Sequence, residues 1–153
     1  MIKYYQIKEA EELAELKDKT AKYKNFQFSF SNDYIAELKE ILFAKKGCQF
    51  FAKDEDGKFA GYISGAETIH PGYFTIYELF VDPEFQGRGI ASDLLEKIFE
   101  YAKRENLKGV ITQTEFENIP AQKLYEKIGF IKINNPEWTD GITYELRFFK
   151  DKK

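Results

Sequence analysis

The stretch from Thr75 to Thr114 most restricts what this chain can fold into. Thr75-Ile-Tyr-Glu-Leu-Phe-Val81 is a β-branched and aromatic run, Asp82 and Pro83 turn the chain, and Gln86-Gly-Arg-Gly-Ile-Ala91 makes a glycine-rich loop. From Gly89 to Glu105, Ile90, Leu94, Ile98 and Ala102 form one helical stripe, with Ala91, Leu95 and Phe99 beside it. Asp93–Lys97 and Glu100–Arg104 stand at i,i+4 spacing on the outer face. Val110 to Thr114 is a second strand. Strand, helix, strand in this order requires a crossover, so the two strands pair in parallel and the connection is right-handed.

The loop between that strand and helix predicts a diphosphate ligand. A helix start leaves about four backbone N–H groups free and carries partial positive charge, which suits phosphate oxygens. Gly87 and Gly89 remove Cβ atoms from the approach of a bulky anion. The sequence has no Gly-x-Gly-x-x-Gly followed by an acidic residue on a second strand, as a dinucleotide site needs. It also lacks a Gly-Lys-Ser/Thr ending, as a nucleoside triphosphate loop needs.

The remaining elements build a sheet around this unit. Tyr4–Ile7 reads as a first strand and Glu9–Lys19 as a helix. Phe26, Phe28 and Phe30 alternate with polar residues as a strand or an extended wall. Ser31-Asn32-Asp33 starts a helix through Ile41 and Leu42 that Lys45, Lys46 and Gly47 close. Cys48–Lys53 and Lys58–Gly65 form a hairpin over Asp54-Glu-Asp-Gly57. After Val110–Thr114, Asn118 reads as an N-cap, Pro120 as first-turn proline and Gly129 as the left-handed stop. Ile131–Ile133 and Ile142–Phe149 close the sheet across a polar loop from Asn134 to Gly141. The expected fold class is α/β, a mixed sheet with one parallel pair near its middle.

Two motifs in this order carry a family likeness. Gln86, Gly89 and Ala91 fit the pattern Gln/Arg-x-x-Gly-x-Gly/Ala, and the later segment Asn118-Ile-Pro-Ala-Gln-Lys-Leu-Tyr-Glu-Lys-Ile-Gly-Phe130 fits Asn-x-x-Ala-x-x-Leu-Tyr-x-x-x-Gly-Phe. Loop and segment resemble the coenzyme A loop and the following helix of the GNAT superfamily of N-acetyltransferases. The likeness covers residues 58–149 well and the first fifty only in layout. It implies a mostly antiparallel central sheet splayed at the parallel fourth and fifth strands, helices on both faces, and acetyl-CoA as co-substrate.

The implied chemistry assigns roles. A neutral amine attacks a thioester carbonyl, an oxyanion forms and a thiolate leaves, which calls for a base, oxyanion donors and an acid. By the resemblance, backbone of Leu79, Phe80 and Val81 holds the pantetheine arm and supplies the donor; Gln86, Gly87, Arg88, Gly89, Ile90 and Ala91 hold the diphosphate. Tyr125 is the expected acid, since a phenol with pKa of about 10 can protonate a thiolate whose conjugate acid is nearer 8.5; packing as an ordinary core tyrosine is its structural alternative. Glu78 is the candidate base, read on the same strand face as Ile76 and Phe80, with a carboxylate on a solvated sheet face as its alternative. Asn118 caps its helix and, by the resemblance, also bonds the pantetheine amide.

One departure stands out. Some members that acetylate protein N-termini carry a Glu five positions before the motif Asn, where this chain has Gln113, which cannot act as a base. Glu115 and Glu117 belong to the rim.

Composition narrows the rest. The 153 residues suit a single domain, 1–153. A net charge of −3 disfavours nucleic acid as partner and suits a cationic acceptor. Cys48 is the only cysteine, so no intrachain disulfide exists and an acyl-cysteine route is not expected. No His/Cys/carboxylate cluster suggests a metal, and His70 sits in a turn with Pro71 and Gly72. Without a signal-like or membrane-length apolar run, a cytoplasmic monomer or homodimer with no membrane partner is expected.

The sequence thus predicts an N-acetyltransferase moving acetyl directly to a primary amine, a small-molecule amine or polyamine being favoured. A peptide or protein acceptor, at an N-terminus or a lysine, is the alternative within the class. A non-catalytic acyl-CoA-binding regulatory domain is the alternative outside it, and a membrane- or partner-binding module built on Phe26, Phe28 and Phe30 is a third. By the resemblance, acceptor walls are expected at Phe26–Tyr34 and Asn134–Gly141, where Glu137, Trp138 and Asp140 suit a cation on an apolar body.

Overall fold

A computed structural model describes residues 1–20, 36, 39–40, 47–67 and 70–148. The Phe26, Phe28, Phe30 stripe, the helix start at Ser31–Asp33 and Phe149 lie outside the described residues. The strands are β1 (Lys3–Gln6), β2 (Gly47–Lys53), β3 (Phe59–Ala66), β4 (Tyr73–Val81), β5 (Gly109–Glu115), β6 (Ile131–Ile133) and β7 (Gly141–Arg147). The three described helices are α1 (Ala10–Thr20), α2 (Ile90–Arg104) and α3 (Ile119–Ile128).

The seven strands form one sheet in the order β1-β2-β3-β4-β5-β7-β6. Every neighbouring pair is antiparallel except β4 and β5. That parallel pairing is short: Tyr73, Phe74 and Thr75 face Gly109, Val110 and Ile111, and there it stops. β4 runs on to Val81 and β5 to Glu115, so the two strands diverge beyond Thr75. The mixed, mostly antiparallel sheet splayed at its parallel pair is the fold that the sequence predicts.

Helices flank both faces. Lys53 on β2 pairs with Glu15 of α1 at 2.8 Å, which puts α1 over the face of Phe51 and Tyr5. Tyr4, on the opposite face, donates its hydroxyl to Asp93 of α2 at 2.6 Å. Asp93 therefore serves β1 rather than Lys97, whose ammonium instead stands 4.0 Å from Glu100. Tyr125 of α3 packs against Tyr144 of β7 and Phe130, on the α2 side. Between α2 and the sheet lies the core of Phe50, Ile63, Phe74, Leu94, Leu95, Ile98 and Val110. Each of these buried apolar side chains contributes about 1.5–3 kcal/mol by leaving water.

One irregularity corrects the sequence reading of Glu78. Ser64 pairs with Glu78, but its neighbour Gly65 pairs with Ile76, so Tyr77 is an extra residue in β4. Directly paired residues share a face and consecutive ones alternate, so Glu78 and Ile76 point to opposite faces. Ile76 joins the α2-side core, whereas Glu78 and Phe80 lie on the α1 side with Ser64 and Tyr62. Gly65 is where the chain needs the missing side chain: a Cβ there would strike the Thr75 carbonyl and the Phe74 ring.

Candidate active site

The divergence of β4 and β5 opens a cleft of about 1090 Å³ that reaches through the sheet between its two faces. Its walls bring together Glu78, Leu79, Val81, Gln86, Gly87, Gly89, Ile90, Ala91, Asn118 and Tyr125. Two residues of the expected set stand off the wall. The Phe80 ring stacks on Phe59 with centroids 6.0 Å apart, and the Arg88 guanidinium lies 5.1 Å from the Phe85 ring centroid.

At one end of the cleft is the start of α2. Gly89 caps the helix in a left-handed conformation, φ 81°, with no side-chain cap, and the first helical bond runs from Asp93 N–H to Gly89 C=O at 3.0 Å. The N–H groups of Ile90, Ala91 and Ser92 precede that bond and have no carbonyl a turn back to donate to, which leaves them for an anion. A Cβ on Gly87 or Gly89 would meet nothing within 4 Å, and both have φ +81°. The glycines are thus required by the left-handed backbone rather than by crowding within the protein. Gln86 ties the loop to the strand end by donating Nε2–H to the Val81 carbonyl at 3.2 Å.

The strand edge is the second feature. Leu79, Phe80 and Val81 pair with β3 on one side, while β5 has already turned away on the other. Alternate backbone N–H groups on that open edge therefore face the cleft, where an acyl oxygen can use them.

Tyr125 enters from the α2 side. It is 4% exposed, and its hydroxyl hydrogen-bonds with Thr112 of β5. Burial pushes the phenol up from its ordinary value, and the Thr112 bond offsets part of that. The group therefore holds its proton at neutral pH. Thr112 escaped the sequence reading, although its alternation with Val110 and Thr114 marks all three as one face of β5.

Glu78 enters from the α1 side, 4% exposed, and lines the same cleft. Its row across the sheet is polar throughout: Gln49 pairs with Ser64, and Ser64 with Glu78. Gln49 accepts the Tyr62 hydroxyl at 3.0 Å. The Thr75 hydroxyl is buried and has no hydrogen-bond partner among the described residues.

The remaining candidates fall in definite places. Asn118 Oδ1 accepts the Ala121 N–H at 3.2 Å, the helix cap that the sequence predicts. Trp138, Glu115 and Glu117 line the cleft, whereas Glu137 and Asp140 do not. Cys48 is 1% exposed and its thiol is pushed far up by burial. Among the described residues no group of three or more His, Cys, Asp or Glu is placed to hold a metal ion, and no helix is long and apolar enough to cross a membrane.

A sheet opened at one parallel pair, with a bare helix start at one end of the opening and a buried phenol beside it, turns backbone donors and one protonated side chain toward a common cleft. The chain belongs to the Acetyltransferase (GNAT) family, whose model it matches over residues 10–130. It is 44% identical over 88 residues to an uncharacterized N-acetyltransferase of Methanocaldococcus jannaschii, covering 53% of this chain and 38% of that protein. To human N-acetylaspartate synthetase it is 28% identical over 96 residues, covering 63% of this chain and 32% of that protein. The chain thus spans about a third of the length of these curated relatives. An acetyltransferase of the GNAT family from Staphylococcus aureus Mu50 superposes with a TM-score of 0.79 at 20% identity, covering 97% of this chain and 100% of the other, a likeness of fold.

Proposed function

We propose that this protein transfers the acetyl group of acetyl-CoA directly to a primary amine, without an acyl-enzyme. The observation that carries the reading is one cleft through the sheet, with Tyr125 on one side of the gap and Glu78 on the other. The α2 start receives the diphosphate, and the open edge at Leu79–Val81 receives the pantetheine arm and the acyl oxygen. The amine arrives from the α1 side, and Glu78 takes its proton directly or through water. The nitrogen, freed of one ammonium proton by Glu78, bonds to the carbonyl carbon and gives up a second proton to solvent as the amide forms, the C–S bond breaks, and the Tyr125 proton passes to the departing sulfur. Solvent returns one proton to Tyr125 and removes one from Glu78.

A primary amine that is a small molecule or polyamine fits best, because the described cleft wall has carboxylates and an indole at the acceptor end. A peptide N-terminus or a lysine side chain is the alternative acceptor. A domain that binds acyl-CoA without turnover is the alternative of another class, and the retained Tyr125 weighs against it. Thermal unfolding with acetyl-CoA, followed by an acceptor screen with free-thiol detection, tests the reading. Stabilisation together with amine-dependent thiol release is expected; stabilisation with no thiol from any amine identifies the binding domain.

A further inference from the structure

The Tyr125 hydroxyl sits between aromatic walls with one hydrogen-bond partner among the described residues, Thr112. The rings of Phe130 and Tyr144 flank the phenol, with centroids 5.4 and 5.6 Å from its own, and all three residues are buried. Tyr144 carries a hydroxyl of its own, but that group donates to Oε2 of Glu126 at 2.9 Å. The backbone under the phenol is fixed as well: the Tyr125 carbonyl accepts the N–H groups of Gly129 and Phe130 at 3.1 and 2.9 Å.

Register brings Thr112 to this place. Thr112 of β5 pairs with Tyr144 of β7, so its side chain stands on the α2 side, next to the ring on which Tyr125 packs. Its neighbours Ile111 and Gln113 point to the opposite face, and Thr114 lies a further step along, opposite Ile142. Thr112 is 2% exposed, and both it and Tyr125 line the cleft.

A hydroxyl has one proton and two lone pairs, so two hydroxyls can be joined in either of two senses. If the phenol donates to Thr112, its proton points away from the cleft and is lost to a leaving group. If Thr112 donates to the phenol, the phenolic proton is free to turn into the cleft. The second sense also suits the product of proton transfer, because a phenolate among aromatic rings is costly unless a donor faces it. Thr112 offsets part of the rise that burial gives the phenol, which is the effect of a donor to the ionised form.

We propose that Thr112 is a positioning residue for proton delivery by Tyr125, an inference that rests on the transferase reading of the same cleft. Its hydroxyl donates to the Tyr125 oxygen, aims the phenolic proton at the thioester sulfur and faces the charge left behind. As the C–S bond breaks, the Tyr125 O–H bond breaks and an S–H bond forms. The phenolate keeps the electron pair, the bond from Thr112 strengthens, and solvent later restores the proton.

The test follows free thiol in single turnovers, with protein in excess over acetyl-CoA. The amine is whichever of n-butylamine, 1,4-diaminobutane and a peptide with a free N-terminus gives the fastest release with the wild type. Thr112→Val keeps the branched shape and removes the hydroxyl. It should slow release about ten- to a hundredfold, the range for a hydrogen bond to a charged group, with acetyl-CoA affinity and the half-saturating amine concentration unchanged. Thr112→Ser should recover most of the rate. In a Tyr125→Phe background Thr112→Val should cost less than about twofold, because no phenol is left to aim, whereas a structural role costs the same in both backgrounds. Thr112→Ala replaces Thr112→Val, with the same expectations, if the valine variant does not fold.

An unchanged rate in the variant lacking the hydroxyl, an equal defect in the Tyr125→Phe background, or a Thr112→Ser variant just as slow overturns the positioning role and leaves the transferase reading standing. Release by Tyr125→Phe at the wild-type rate overturns the acid and the role of Thr112 together. Bound acetyl-CoA with no thiol released by the wild type from any of the three amines overturns the transferase reading itself, and the positioning role with it.

Discussion

Glu78 and Tyr125 line one cleft from opposite faces of the same sheet, Glu78 from the α1 side and Tyr125 from the α2 side. In the proposed reaction this puts proton removal from the incoming amine and proton delivery to the departing sulfur on the two sides of the gap.

Tyr125→Phe keeps the ring contacts with Phe130 and Tyr144 and removes only the hydroxyl. Stability should fall by no more than about 1 kcal/mol, the worth of the bond with Thr112. The turnover number should fall by 10²- to 10⁴-fold, roughly the span of a general acid, while acetyl-CoA affinity holds. An unchanged turnover number in stopped-flow thiol detection would return the proton to another donor.

Glu78→Gln should slow turnover most at neutral pH. The defect should shrink as pH approaches the amine's own pKa of about 10, where free amine needs no base. A rise in acceptor KM with unchanged kcat would instead make Glu78 a binding charge. A defect of constant size across a pH–rate profile at saturating acceptor rules out the base role.

Gly89 gives a prediction in two arms. Its φ of +81° makes any side chain strained, so Gly89→Ala should lower the melting temperature of the free protein through a cost of about 1 kcal/mol. The stabilisation by acetyl-CoA, about 2.7 kcal/mol at a hundred times its dissociation constant, should survive in that variant. Gly89→Glu adds bulk and negative charge at the diphosphate and should abolish it. A full shift in Gly89→Glu means that the loop is structural.

Stability should also fall at alkaline pH. Burial, then the hydrogen bond to Glu126 and its charge, pushes the Tyr144 phenol up to about 12, and burial pushes Tyr101 to about 12. The unfolded chain loses these protons near pH 10, so between pH 10 and about 12 the native state holds more protons. The unfolding free energy should therefore be unaffected by these groups below pH 10 and decline from about pH 10 to 12. Tyr144→Phe should flatten part of the decline in denaturant titrations. A flat or rising stability across that window contradicts the assignment.

The sequence displays most of the frame and less of the site. The strand–loop–helix–strand unit, the Asn118 cap and the Gly129 stop (φ 119°) stand where the residues place them, because each is set by local chemistry. Strict alternation along β4 puts Ile76 on the face of Glu78, because it has no room for an extra residue. The bulge at Tyr77 is decided by Gly65 on a different strand. The Thr112–Tyr125 bond and the seat of Trp138 on Gly141 likewise depend on how separate segments meet, and no local pattern announces them. Arg88 suits a phosphate by charge alone, yet it lies over Phe85, and the donors at the helix start are backbone.

Direct transfer is tested most plainly by mixing the protein with acetyl-CoA first without and then with a primary amine, while following free thiol, acetylated amine and protein mass together. The account predicts no thiol burst and no protein adduct before the amine is added, consistent with a Cys48 that is 1% exposed, and then thiol and acetylated amine in equal amounts. A thiol burst with an acetylated protein, or no thiol at all from protein that has bound acetyl-CoA, would contradict it.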